Sequence, residues 1–337
     1  MLKNKKIQEY LDNLTKPPGS LGRLEELAVR LCEIQQTLKL RTSPRLLVVF
    51  AADHGVIEEH VTAWPSKVTE LMIDNIIAGG AASSVLSDLT DTQLRLVDVG
   101  SFAGPRKENM TYRFARIAPG TANLARGPAM TTHQFKQAMA VGAEEISRAV
   151  ASGVAVVTAG EMGIGNSTPA ACLAGLLCDL PAEQVTGRGA GADDAILNQK
   201  TSIISEVLER NKSLIKSDIL SVIASVSGFE IAAMAGFYIA AAEENLTIVL
   251  DGFIATAAAL VAETLSPGIR NNMIASHCSA EQGHIKILEK LGLNPLVDWS
   301  MRLGEGTGAL LVMSMLDAAA AIISKMATFQ SAGIKDE

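Results

Sequence analysis

Val154-Ala155-Val156-Val157-Thr158-Ala159 runs directly into Gly160-Glu161-Met162-Gly163-Ile164-Gly165-Asn166-Ser167-Thr168-Pro169-Ala170-Ala171. The first six residues are nearly all apolar, with no polar alternation, which is how a strand buried on both faces reads. The glycines that follow break the strand and open a loop. Thr168 fits the N-cap of the next helix and Pro169 its first residue, where a missing N–H costs nothing. The stretch therefore reads strand, glycine loop, helix, the repeating unit of a parallel sheet.

The same unit recurs on either side. Leu46 to Ala51 leads to Asp53-His54-Gly55-Val56, and Leu94 to Val99 leads to Gly100-Ser101. Ser221 to Ser227 precedes Gly228-Phe229-Glu230, Leu246 to Leu250 precedes Asp251-Gly252-Phe253, and Met273 to Ser276 precedes His277-Cys278-Ser279-Ala280-Glu281. Six such runs predict an α/β fold with a parallel sheet flanked by helices. In open parallel sheets, ligands bind beyond the carboxyl ends of the strands, and the polar and glycine residues collect there. Before the first run the chain reads as two helices, Lys3 to Leu14 and Leu21 to Leu40. Lys16-Pro17-Pro18-Gly19-Ser20 separates them, with Ser20 as the expected N-cap of the second. Asp194 to Lys216 reads as a charged amphipathic helix with a solvated face.

Composition narrows the function. The chain has 337 residues, 48% hydrophobic but only 4% aromatic, and a mean hydropathy of +0.25. That length suffices for a large buried core. The net charge of −7 leaves no broad basic footprint for nucleic acid. The alanine-rich stretches Ile231 to Ala242 and Asp317 to Ile323 are too short or too interrupted to span a bilayer. No apolar signal core follows the basic start Met1-Leu2-Lys3-Asn4-Lys5-Lys6, so a cytoplasmic protein is expected. Cys32, Cys172, Cys178 and Cys278 lack CxxC spacing and read as reduced, mostly buried thiols. The five histidines form no metal array.

Two glutamates stand out. Glu161 lies in the loop quoted above, and Glu305 in Arg302-Leu303-Gly304-Glu305-Gly306-Thr307-Gly308. Each carboxylate is set in glycine-built backbone just before an apolar helix, a placement suited to acid–base work. A solvated loop glutamate is the plain alternative for either one alone.

A second glycine run, Thr186-Gly187-Arg188-Gly189-Ala190-Gly191-Ala192-Asp193-Asp194, also opens a helix. Free amides and a positive helix end favour an anion such as phosphate. Neither run has the spacing of a dinucleotide fingerprint or the Gly-Lys-Ser/Thr ending of an ATP-binding loop. Lys200 and Ser279 are placed to assist at a phosphate. A helix-face lysine paired with an acid is the other reading of Lys200. His54 and His277 each follow a strand, as a satisfied buried histidine or a catalytic one does.

Taken together, these segments resemble one family. Lys16 to Glu25, Ala52 to Val56, Gly160 to Asn166, Thr186 to Asp194, Ser276 to Glu281 and Arg302 to Gly308 all follow, in order, the pattern of the nicotinate-nucleotide:dimethylbenzimidazole phosphoribosyltransferases. The resemblance runs from about residue 10 to about residue 327. It implies a Rossmann-like sheet in residues 46–300. It also implies a small helical domain built from residues 1–45 and 301–337, the latter carrying the catalytic loop. A dimer is implied too, of identical or paralogous chains, with no membrane or nucleic-acid partner.

The implied reaction transfers phosphoribosyl from nicotinate mononucleotide to an aromatic base of the cobamide lower ligand, with anomeric inversion and release of nicotinate. Nicotinate mononucleotide is then a substrate, and no cofactor or metal is implied. Glu305 matches the catalytic base and Glu161 the second pocket carboxylate. Gly163, Gly165, Asn166, Thr168, Gly189, Gly191, Lys200 and Ser279 match the nucleotide and phosphate grip. Elementary chemistry agrees: an oxocarbenium-like transition state calls for nearby carboxylates, and the acceptor must lose a proton as it attacks. The departing pyridinium needs no acid, and no pyrophosphate leaves that would call for magnesium.

Trp64, Met72 and Met162 match the acceptor pocket. A large aromatic and a thioether at the first two places, where benzimidazole-using members often have smaller or polar groups, imply a narrower, drier pocket suited to a one-ring acceptor, a phenol such as p-cresol; ordinary interface or core residues are the plain alternative for Trp64 and Met72. Two competing readings are a nicotinamide-dependent dehydrogenase, disfavoured by the glycine spacing, and a non-catalytic paralogue, disfavoured by the intact Gly304-Glu305-Gly306.

Overall fold

The computed structural model describes residues 4–334; Lys3, the expected start of the first helix, lies outside them. Six strands form one wholly parallel sheet. They are β1 (Arg45–Ala52), β2 (Thr92–Gly100), β3 (Tyr112–Phe114), β4 (Val156–Met162), β5 (Thr247–Leu250) and β6 (Met273–Ala275). Their spatial order is β3-β2-β1-β4-β5-β6, the doubly wound order whose direction reverses between β1 and β4.

The reason is visible in burial. Every residue of β1 and of β4 is buried, so these strands need cover on both faces, and only crossover helices supply it. On one face Val48, Phe50, Val157, Ala159 and Leu250 pack in the main core beneath the helices Thr132–Ala151, Phe229–Glu243 and Phe253–Leu265. On the other, Leu47, Val49 and Ala51 meet the helices Lys67–Ile77 and Ala82–Leu89. Further along that face Val156, Val249 and Ile274 share a cluster with Leu11, Leu31, Met313 and Leu316, which come from the two ends of the chain.

The close helix contacts depend on alanine and glycine. A Cβ on Gly142 would meet the backbone of Ala233, and one on Gly236 that of Met139. This explains a core rich in small residues and poor in aromatics. Thr307–Lys325, 19 residues with a hydropathy of 1.7, passes a length-and-composition test for a membrane span. It is interrupted by Asp317, and 56% of the span is buried within the fold.

Several expectations need correction. The run Ser221 to Ser227 is not a strand: Ile219–Val226 is a helix, capped by Asp218, whose carboxylate accepts from the Ser221 amide at 3.1 Å. A short apolar run does not distinguish the two by itself, and the capping aspartate is the signal that does. The edge strand β3 has only three residues and leaves no legible run. Ser20 is not a cap: the second helix is Arg23–Gln35 with Gly22 at its N-cap, and it stops at Gln36 in the left-handed region. Thr168 is not a cap either, because the helix already begins at Ser167. The charged helix ends at Lys212 rather than Lys216. All four cysteines are free, Cys32 and Cys172 being buried.

Candidate active site

A cleft of about 610 Å³ opens beyond the carboxyl ends of the strands, at the reversal between β1 and β4, in the size range of small-molecule sites. Glu161 is not a loop residue as expected but the penultimate residue of β4, paired with Phe50 of β1. Its backbone is therefore fixed by the sheet and its side chain lines the cleft. Burial pushes its carboxyl well above the usual range; the Asn166 amide, which donates to it, opposes this, and the nearby Asp251, Glu230 and Glu305 carboxylates add to it.

Glu305 faces the same cleft, 4% exposed, with its backbone in the left-handed region at φ 60° between two positive-φ glycines. A non-glycine residue in that conformation is strained and persists only where its surroundings hold it. They do. Asp251, at the end of β5, accepts from the amides of Gly306 at 3.0 Å, Gly308 at 2.8 Å and Ala309 at 3.3 Å. Its carboxylate thereby closes the N-terminus of the helix Thr307–Leu311 and pins the loop. Ser83 donates to Glu305 Oε2 at 2.9 Å. Burial raises the Glu305 carboxyl above its ordinary value, the Ser83 bonds working the other way.

The glycines let the two acidic segments meet. A Cβ on Gly160 would lie 2.6 Å from the Glu305 carbonyl oxygen, and one on Gly304 would collide with the Glu161 carboxylate. His277, also on the cleft, fits because residue 308 is glycine, where a Cβ would come 2.9 Å from the imidazole Cγ.

Toward the other end lie Ser167, Arg188, Gly189 and Ser279. Lys200 sits behind them, 1% exposed, donating from Nζ to Ser167 Oγ at 2.8 Å and to the Gly187 carbonyl at 2.9 Å. It is not a helix-face lysine in an ion pair. Burial lowers its ammonium to about 8, partly offset by the Glu281 carboxylate. No acceptor among the described residues is paired with the amides of Gly189 and Ala190. Ser279 is held by its own amide donating to His284 Nδ1 at 2.8 Å, and His284 Nε2 meets Thr256 Oγ1 at 3.0 Å. Buried and accepting at Nδ1, His284 is held neutral, its ring lowered to about 3.

Of the expected residues, Glu161, Glu305, Gly163, Gly165, Asn166, Gly189, Ser279, Trp64, Met72 and Met162 all line this one cleft. Lys200 lies one layer behind. Thr168 and Gly191 do not line it: Thr168 is fully buried within its helix, and Gly191 faces outward. Asn166 turns its amide to Glu161 rather than being free for a phosphate. Sequence reasoning missed Ser83, Asp251, Arg302 and His284. Asp251 alone carried a signal, as an acid directly after a strand. His54, fully buried, faces Glu230 Oε1 at 3.0 Å. Burial would lower its ring, but Glu230 raises it further, so the net direction is up. It is a paired core histidine behind the cleft wall.

Comparison with known proteins gives the family of the chain. A family model described as phosphoribosyltransferase matches residues 3–334. The nicotinate-nucleotide–dimethylbenzimidazole phosphoribosyltransferase of Desulforudis audaxviator is 45% identical over 328 residues, 97% of this chain and 92% of that protein. Its namesake from Thermus thermophilus is 44% identical over 324 residues, 96% of each. A crystal structure of CobT from Thermus thermophilus superimposes with a TM-score of 0.95 at 43% identity, covering 99% of both chains. The chain is a phosphoribosyltransferase enzyme and belongs to the nicotinate-nucleotide–dimethylbenzimidazole phosphoribosyltransferase family.

Proposed function

We propose that this enzyme transfers the phosphoribosyl group of nicotinate mononucleotide to an aromatic lower-ligand base, releasing nicotinate, with Glu305 as general base. The supporting observation is the buried Glu305 carboxylate, held by Ser83 on a loop anchored to Asp251 and facing Glu161 across one cleft. The acceptor attacks the anomeric carbon from the side opposite nicotinate, its N–H or O–H proton passing to Glu305 as the glycosidic bond breaks. Glu161, pushed further toward its neutral form, donates a hydrogen bond that orients a bound ring rather than taking a proton. The donor phosphate lies at Gly189, Ser167 and Ser279, with the Lys200 ammonium behind it. The residues assigned to this chemistry need no resident cofactor.

The acceptor wall is apolar, formed by Val61, Trp64, Val68, Met72 and Met162. It supports a phenol such as p-cresol as an acceptor beside dimethylbenzimidazole. We place the enzyme in the cytoplasm, in keeping with its four free cysteines. We expect it to work as a dimer of identical or paralogous chains, for which Leu71, Val85 and Leu89 are exposed on adjacent helices. Nicotinate release is measured with each base in turn, with the chain alone and with any paralogue. Release with dimethylbenzimidazole or p-cresol supports the reading, and none with either from folded protein refutes it. Use of dimethylbenzimidazole without p-cresol removes only the phenolic part.

A further inference from the structure

Glu281 ends the run Ser276-His277-Cys278-Ser279-Ala280-Glu281, directly before the helix Gln282–Leu291. A polar side chain at that position can cap the free amides of the first turn. Glu281 makes no such bond. It lines the cleft instead, 8% exposed. Its carboxylate lies against Gly187, where a Cβ would stand 2.0 Å from Oε2. The Gly187 carbonyl is the one that accepts from Lys200 Nζ at 2.9 Å, and the Glu281 amide donates to Ser279 Oγ at 3.3 Å. The carboxylate therefore stands among the groups assigned to the donor phosphate. No described residue satisfies it: Oε2 is buried without a hydrogen-bond partner, and Lys200 gives its bonds to Ser167 and Gly187. No group of metal-ligating side chains among the described residues could hold an ion there. A buried acceptor left unpaired is costly, and in a binding cleft it marks the place of a ligand's donor.

An ionised carboxylate only accepts hydrogen bonds, so the donors of the ligand decide what it meets. Nicotinate mononucleotide has few. Its ionised phosphate and carboxylate are acceptors, and its pyridinium carries charge without an N–H. Only the ribose hydroxyls donate, and they belong to the sugar that the phosphate tethers. We propose that Glu281 is a donor-binding residue that accepts a hydrogen bond from a ribose hydroxyl of nicotinate mononucleotide and so selects ribosyl over deoxyribosyl donors. This rests on the reading of nicotinate mononucleotide as donor. With the phosphate held by Lys200 and Ser279 and a hydroxyl held by Glu281, the sugar is fixed at separate points, which limits how its anomeric carbon turns relative to Glu305. The Lys200 ammonium, lowered by burial and raised again by Glu281, offsets the repulsion between carboxylate and phosphate.

The test is the Kd of nicotinate mononucleotide and of its 2′-deoxy and 3′-deoxy analogues, from calorimetry without acceptor, for the full-length wild type, Glu281→Ala and Glu281→Gln. The wild type should bind one deoxy analogue about 10- to 100-fold more weakly than the parent, the worth of a hydrogen bond to a charged group. In Glu281→Ala the parent should weaken by a similar factor and the preference should vanish. Glu281→Gln keeps an oxygen acceptor without the charge and should fall between, and it decides the matter if the alanine variant does not fold. No preference in the wild type overturns the proposal. So does equal weakening of the parent and both analogues in the variants, the result of a carboxylate that is merely structural or acts only through the Lys200 charge. Either result leaves the donor reading intact, whereas failure of the wild type to bind nicotinate mononucleotide removes both.

Discussion

Gly160 and Glu305 touch backbone to backbone: a Cβ at residue 160 would stand 2.6 Å from the Glu305 carbonyl oxygen and 2.5 Å from the Gly306 nitrogen. The Glu305 loop lies directly on the strand that carries Glu161, with no side chain between them. Gly160→Ala should therefore displace that loop, because neither a sheet strand nor a loop held by three hydrogen bonds to Asp251 yields easily. We expect kcat to fall about a hundredfold, a loss typical of small misplacements at a reacting centre, with the far-ultraviolet circular dichroism retained. Near-wild-type kcat in a soluble variant would show that the contact has slack.

Glu305→Gln keeps the shape of the side chain and its bond from Ser83 but removes the proton acceptor. Turnover should drop about 10²- to 10⁴-fold, as for other general bases, with the Kd for nicotinate mononucleotide nearly unchanged. Glu161→Gln should cost less, since an amide still donates a hydrogen bond. Equal losses from the two changes would contradict the division of roles drawn here.

The pH dependence follows from burial. A general base works ionised, and burial raises the Glu305 carboxyl above its ordinary value. The kcat/KM should rise with pH through an apparent pKa above the ordinary glutamate value of about 4.3. An acid limb at or below that value would contradict the assignment.

Stability should run the other way. Folded Glu161 binds its proton more tightly than unfolded Glu161, so the folded state holds more protons in the window between the two pKa values. Its contribution to stability is present below the unfolded pKa and is lost as pH rises through the folded one. Glu161→Gln should thus raise Tm at pH 8 and change it little near pH 4. A variant equally stabilised, or destabilised, at both pH values would show that burial of the charge is not what that carboxylate costs the fold.

Lys200 makes its two hydrogen bonds to uncharged oxygens, and in the proposed reading its ammonium serves the donor phosphate. Lys200→Ala should raise the KM for nicotinate mononucleotide at least about tenfold and more than it lowers kcat. An unchanged donor KM would leave the lysine with a purely structural role.

Asp251→Ala removes the acceptor for three amides of the Glu305 segment. With buried donors orphaned at about 1–3 kcal/mol each, thermal unfolding should show a loss of at least about 3 kcal/mol together with most of the activity. A stable, active variant would mean the loop is held elsewhere.

The sequence by itself determined the parallel sheet. Continuously apolar runs such as Val48-Val49-Phe50 need cover on both faces, and five of the six expected runs are strands of the central sheet. It also determined the two glutamates and the glycines beside them, because closely approaching backbone is written in the sequence as missing side chains. Where a run was short, its apolarity misled: Ser221 to Ser227 is apolar enough for either a strand or a helix, the capping Asp218 being the local sign of the helix that packs beside Thr132–Ala151. Only the tertiary structure decided which residues meet. Ser83 and Glu305 are 222 positions apart, and Asp251 and Gly308 are 57 apart. No local propensity encodes such pairs. They arise because the crossover connections bring the carboxyl ends of β1, β4 and β5 to one edge of the sheet, where the C-terminal segment folds back across them.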